Sequence, residues 1–251
     1  MRAALLGIVL TTAAPAADPE IPAKLQRAGR DENKKYYLIG DRKTVAPDGG
    51  FGLAVVLPGG DGSADFLPFV KTLARDALPK DYLVAQPVAV KWREDQEIVW
   101  PTAGDKASVP GMKFTTEEFV GAVIDDVTAK YAVDKTRVFT LAWSSSGPAA
   151  YVVSLAGKKV TGSFVAMSVF RPDGLPPLAG AKGHPYFLYH SPEDETCPFE
   201  MAEAAKAKLE AAGAVVSLKK YDGGHGWTGE FVRDVKDGFV WLETSRAGGK
   251  K

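Results

Sequence analysis

The chain has 251 residues, with 31 Lys and Arg against 31 Asp and Glu, for a net charge of zero. That balance offers no electrostatic hold on nucleic acid or an anionic membrane surface, so neither is expected as a partner. Hydrophobic residues make up 45% and charged residues 25%, an ordinary globular mixture, and the length suits one large α/β domain better than two small ones.

Residues 1–17 read as a secretory signal. Arg2 supplies the positive start, residues 3–11 the apolar stretch, and Ala14-Pro15-Ala16 or Pro15-Ala16-Ala17 a small-residue cleavage site. The expectation is export to a periplasmic or extracellular space, with a mature chain starting near Asp18. No later apolar run reaches the roughly 18 residues that a spanning helix needs. Residues 18–33 read as an exposed polar leader, 34–246 as a single domain, and 247–251 as a frayed tail. The one cysteine, Cys197, allows no intrachain disulfide and reads as a small buried hydrophobe.

A short strand is expected over 34–39 and a buried one over 51–57, joined through Asp48-Gly49-Gly50 as an antiparallel hairpin at a sheet edge. The loop Pro58-Gly59-Gly60-Asp61-Gly62-Ser63 follows, then a helix over 64–77. The loop has no phosphate-binding fingerprint, so its backbone N–H groups are better suited to face a developing oxyanion. Residues 82–90 form another buried strand. The long connection 91–112 carries Trp92 and Trp100, which either form a substrate wall or plug the end of the core. Trp143 and Trp227 are assigned to substrate binding with them. A helix opens at Thr115 with a capping pattern, and apolar residues recur at helical spacing to 131.

Residues 137–151, RVFTLAWSSSGPAAY, run from an apolar strand through three serines into a helix. Strand, tight turn and helix with a serine at the apex is the geometry of a nucleophile elbow, where residues two before and two after the nucleophile must be small. Ser144 has Ala142 and Ser146 at those positions; Ser145 has the bulky Trp143 and Ser146 has Pro148. Ser144 is therefore the candidate nucleophile, with both customary glycines replaced. Further strands are expected over 160–169, 184–190 and 214–221, with helices over 198–212 and 227–244. Alternating strands and helices predict a mainly parallel sheet with helices on both faces, no cap domain, and active residues in loops at the carboxyl ends of the strands.

Of three histidines, His184 and His190 bound a strand and read as structural. His225 lies in Asp222-Gly223-Gly224-His225-Gly226-Trp227, after the last strand, with glycines that leave it room to swing as a general base. The loop after the strand ending at His190 offers Glu193, Asp194 and Glu195. Asp194 is the choice to orient the histidine, with its two neighbours open on pattern alone.

The P-G-G-D-G loop, W-S-S-S-G-P-A, H-S-P-E-D-E-T-C-P and Y-D-G-G-H-G-W resemble the α/β-hydrolase superfamily over about residues 36–242. The likeness is to compact phospholipase/carboxylesterases and polyhydroxybutyrate-depolymerase-like serine esterases. Pro58 stands where that family usually has histidine. The resemblance implies a serine esterase with Ser144, Asp194 and His225 as its triad, and Gly60 (or Asp61) and Ser145 as oxyanion donors. It implies a small-molecule or polymeric ester as substrate, with no metal and no cofactor. A dienelactone-hydrolase type is disfavoured because the elbow carries serine, not cysteine. The rivals are a peptidase of the same fold and a non-catalytic or weakly active binding protein, the latter motivated by the altered elbow.

Overall fold

A computed structural model describes residues 21–40 and 45–245. The expected signal, 1–17, and the expected tail, 247–251, lie outside the described residues. Among the described residues, eight strands form one sheet: β1 (Ala23–Arg27), β2 (Lys35–Ile39), β3 (Phe51–Leu57), β4 (Tyr82–Pro87), β5 (Val133–Trp143), β6 (Gly162–Ala166), β7 (Pro185–His190) and β8 (Val215–Lys220). Their spatial order is β1-β2-β4-β3-β5-β6-β7-β8. Pairing is antiparallel for β1 with β2 and β2 with β4, and parallel for every other neighbouring pair.

Side chains alternate across β3, because successive residues of a strand point to opposite faces. Leu53, Val55 and Leu57 enter one core with α2 (Thr116–Lys130), α3 (Gly147–Ala156) and α4 (Phe199–Ala211). Ala54 and Val56 enter the other, with α1 (Leu67–Thr72) and α5 (Phe231–Thr244). All seven β3 residues are buried, as a strand covered on both faces requires. The Thr115 cap of α2 takes the expected form: its hydroxyl accepts from the Glu118 N–H at 3.2 Å, and Glu118 accepts from the Thr115 N–H at 2.9 Å.

Three expectations change. The strands 34–39 and 51–57 are not a hairpin: β4 lies between them, because fully buried β3 takes parallel neighbours on both sides while β2 pairs at the antiparallel end. Part of the presumed leader is structural: Ala23–Arg27 is the edge strand, and Ala28 is fully buried. The helix over 64–77 is a short α1 flanked by a 3-10 turn (Ala64–Phe66) and a wider π turn (Leu73–Ala77).

The parallel register puts the carboxyl ends of β3, β5, β6, β7 and β8 along one edge. Leu57 sits beside Ala142, Trp143 beside Ala166, and His190 beside Lys220. The connections leaving that edge carry the site.

Candidate active site

At the end of β5, Trp143 is extended (φ −145°), and Ser144 turns into the left-handed region at φ +55°. A non-glycine residue held there costs on the order of 1–3 kcal/mol and persists only when its surroundings fix it. The chain then reverses through a 3-10 turn (Ser144–Ser146) into α3. Ala142 and Ser146, the two small replacements, are both fully buried. The Ser146 hydroxyl is used: it accepts from the Trp143 N–H at 3.0 Å and donates to the Leu57 carbonyl at 2.6 Å. The position that tolerates no side chain is one residue later. A Cβ on Gly147 would meet Ser168 Oγ at 2.0 Å.

Ser144 Oγ lies 3.0 Å from His225 Nε2, and His225 Nδ1 lies 2.9 Å from Asp194 Oδ2 and 3.1 Å from Oδ1. The Asp194 side chain is fully buried, whereas the His225 ring is about a quarter exposed, at 24%. Backbone N–H groups of Thr196 and Cys197 donate to Asp194 Oδ1 at 2.9 and 2.7 Å. A carboxyl surrounded by donors sets the histidine tautomer: Nδ1 carries the proton, and the Nε2 lone pair faces the Ser144 hydroxyl. Of the three acids left open on pattern, Asp194 alone is buried against the ring. Glu193 instead accepts from the Gly223 N–H at 3.0 Å, and Glu195 is exposed.

The histidine loop is tied to its surroundings by three hydrogen bonds. Gly224 N–H donates to Ser191 Oγ at 3.1 Å, Tyr221 Oη donates to the Gly224 carbonyl at 2.8 Å, and Thr228 Oγ1 donates to the Asp222 carbonyl at 2.9 Å. The glycines serve backbone shape, with Gly223 at φ +116° and Gly224 at φ +74°. His190, read as structural, sits beside the acid. Its Nε2 donates to the Cys197 carbonyl at 2.7 Å and lies 3.3 Å from Asp194 Oδ2. Burial lowers its pKa, which keeps it neutral.

The Pro58–Ser63 loop packs onto the elbow. A Cβ on Gly59 would stand 2.6 Å from Trp143 Cδ1, so only glycine fits. Ser145 Oγ donates to the Gly60 carbonyl at 2.8 Å. Because the peptide is planar and trans, that orientation turns the Asp61 N–H away from Ser145.

The four tryptophans part company. Trp143 and Trp227 stand 5.7 Å apart in an aromatic cluster with Phe66, Phe69 and Phe231. Trp143, expected to bind substrate, is buried at 5% exposure as part of the core, whereas Trp227, two residues from His225, is half-buried. Trp100 is instead a buried strut, and its Nε1 donates to the Pro58 carbonyl at 2.9 Å. It holds the glycine-rich loop from behind and is not a substrate wall. Trp92 packs edge-on against Phe114 at 4.9 Å, in the core face that contains Trp100.

Among the described residues, Asp194, Cys197 and His225 hold donor atoms within 4.8 Å of one another, close enough for a metal. The Asp194 oxygens are already engaged, and burial pushes the Cys197 thiol up to about 11, which makes a poor ligand. The set fits an internal hydrogen-bonded carboxylate better than a metal site. A cleft of about 420 Å³ between α2 and α3 is lined by none of the site residues.

No family model and no curated protein matches the sequence. Solved structures do match. A carboxylesterase from Bacillus cereus aligns over 91% of this chain and 96% of its own, at 15% identity and a TM-score of 0.60. Thermogutta terrifontis esterase 2, solved phosphonylated by sarin, aligns over 92% of this chain and 98% of its own, at 14% identity and a TM-score of 0.63. A Klebsiella pneumoniae protein described as a dienelactone hydrolase covers 90% and 98%, at 13% identity and a TM-score of 0.64. The chain has the α/β-hydrolase fold. In that fold the serine, acid and histidine come in this chain order, each from a loop at the carboxyl edge. Ser144, Asp194 and His225 keep both the order and the edge.

Proposed function

We propose that this chain is a serine hydrolase of carboxylic esters. The observation that carries the reading is the continuous contact from Ser144 Oγ through His225 to the buried Asp194. The esterases sharing the fold add support. Ser144 Oγ attacks the ester carbonyl carbon while His225 Nε2 takes its proton. Asp194 keeps the proton-bearing Nδ1 in place and stabilises the imidazolium. The carbonyl oxygen becomes an oxyanion, held by the backbone N–H groups of Gly60 and Ser145. Asp61 is the poorer donor because its N–H turns away. The tetrahedral intermediate collapses, the C–O bond to the alcohol breaks, and His225 protonates the departing oxygen. Water then attacks the acyl-serine, giving its proton to His225, and the acid leaves as Ser144 regains its hydrogen.

Ala142 and Ser146 do not obstruct this chemistry, since both fit the elbow. Trp143 is as buried as Trp100, so the half-buried Trp227 beside His225 supplies the apolar surface for a substrate group, either a small-molecule ester or part of a polymer. Export through the 1–17 segment is part of the proposal, and intact mass of the exported protein tests it: a start near Asp18 agrees, and retention of Met1 does not. The activity test is hydrolysis of p-nitrophenyl esters by wild type and Ser144→Ala. Loss of the nucleophile of such a unit costs on the order of a million-fold in turnover. A Ser144→Ala variant within about tenfold of wild type would refute the assignment.

A further inference from the structure

We propose that Ser168 is a positioning residue for the oxyanion-binding amide of Ser145. The inference rests on the serine-hydrolase reading and assigns a role to a hydroxyl outside the Ser144–His225–Asp194 chain. Ser168 follows β6 and is buried, at 4% exposure. The residue before it, Met167, has φ +38°, rare for a side chain of that size, and its N–H donates to the Tyr189 carbonyl at 2.8 Å. This bend carries residue 168 off the line of the strand and under the elbow. There Ser168 Oγ donates to the Ser144 carbonyl at 2.7 Å.

The acceptor matters because of what lies at the other end of the same peptide. The Ser144 carbonyl and the Ser145 N–H belong to one planar trans unit and point in opposite directions. Fixing the oxygen therefore fixes where the N–H aims. The Gly147 N–H also bonds the Ser144 carbonyl, so two donors hold it. Donors on a carbonyl polarise its amide and strengthen the N–H as a donor in turn. Oxyanion stabilisation depends on such pre-aimed donors, which need no reorganisation during reaction. The left-handed turn at Ser144 gives this peptide an unusual orientation, and Ser168 holds it from the sheet side. Gly147 makes room for the arrangement, because any side chain there would collide with Ser168 Oγ.

The bland alternative is a buried serine that only satisfies its own hydroxyl. The two separate by measuring Ser168→Ala and Ser168→Cys for kcat, KM, melting temperature and inhibition by a trifluoromethyl ketone, whose serine adduct carries the oxyanion. The proposal expects kcat to fall about 10- to 100-fold with KM within about twofold, somewhat less than the loss of a whole donor. Ketone inhibition should weaken by the same factor as kcat, and the weakly donating Ser168→Cys should fall between wild type and Ser168→Ala. A lower melting temperature with unchanged kcat and ketone affinity overturns it, as does a loss confined to KM. Should Ser168→Ala fail to fold, Ser168→Cys decides by the same criteria. Wild type without activity or Ser144 labelling would instead remove the underlying hydrolase reading.

Discussion

Ser146 Oγ donates to the Leu57 carbonyl at 2.6 Å, joining the elbow to the last residue of β3, just before the Pro58–Ser63 loop. The usual glycine could not make this bond. The departure from the common elbow pattern is thus a tie between the elbow and the end of β3. Ser146→Ala leaves a buried carbonyl and the Trp143 N–H without this partner, each such group costing about 1–3 kcal/mol. Urea denaturation should show a loss of about 2–6 kcal/mol for the two groups together, with a fall in kcat. No change in either would mean that the tie carries nothing.

Asp194 should prove the working acid. In Asp194→Asn the amide can offer a donor to His225 Nδ1, which favours the wrong tautomer, and a related substitution in a serine protease costs about 10⁴ in turnover. Glu193→Gln and Glu195→Gln should stay within about tenfold of wild type on a p-nitrophenyl ester. Either of the two matching the Asp194→Asn loss would reassign the acid.

Trp100 and Trp227 should behave differently. Trp100→Phe removes one buried hydrogen bond to Pro58, worth about 1 kcal/mol, and should lower stability with KM nearly unchanged. Trp227→Ala removes part of the aromatic cluster beside His225 and should raise KM for bulky esters more than for acetate. A KM response to Trp100→Phe larger than to Trp227→Ala would reverse the two roles.

His184 makes stability sensitive to acid. Burial lowers its pKa from 6.5 to about 4, with Nε2 facing Ser163 Oγ at 3.1 Å. The unfolded chain takes up a proton near pH 6.5 that the folded chain refuses until about pH 4. Stability is therefore full above pH 6.5 and falls as pH drops toward about 4. The loss is at most about 3 kcal/mol, since the ring keeps a partly exposed edge. His184→Gln should flatten this part of the urea midpoint against pH. An identical slope in the variant would mean that other groups carry it.

Much of this was legible in the amino-acid order. Ser144, Asp194 and His225 each follow an apolar run that reads as a strand, so their common edge could be inferred. What escaped depends on distant partners. The position of β4 between β2 and β3 is a choice of strand order, which local patterns do not encode. β1 is polar and short, so its pairing with β2 left no periodic signal. The indole of Trp100 finds its acceptor 42 positions away at Pro58. Ser168 meets the Ser144 carbonyl 24 positions away, and nothing in S-V-F-R-P marks it.

A Ser144 hydroxyl activated by His225 should react covalently with an electrophile. The most direct measurement is treatment of the folded protein with a fluorophosphonate probe, followed by peptide mass spectrometry. A single adduct is expected at Ser144, absent in Ser144→Ala and strongly slowed in His225→Ala. An unlabelled wild type, or an adduct at Ser145 or Ser146 that survives Ser144→Ala, would contradict it.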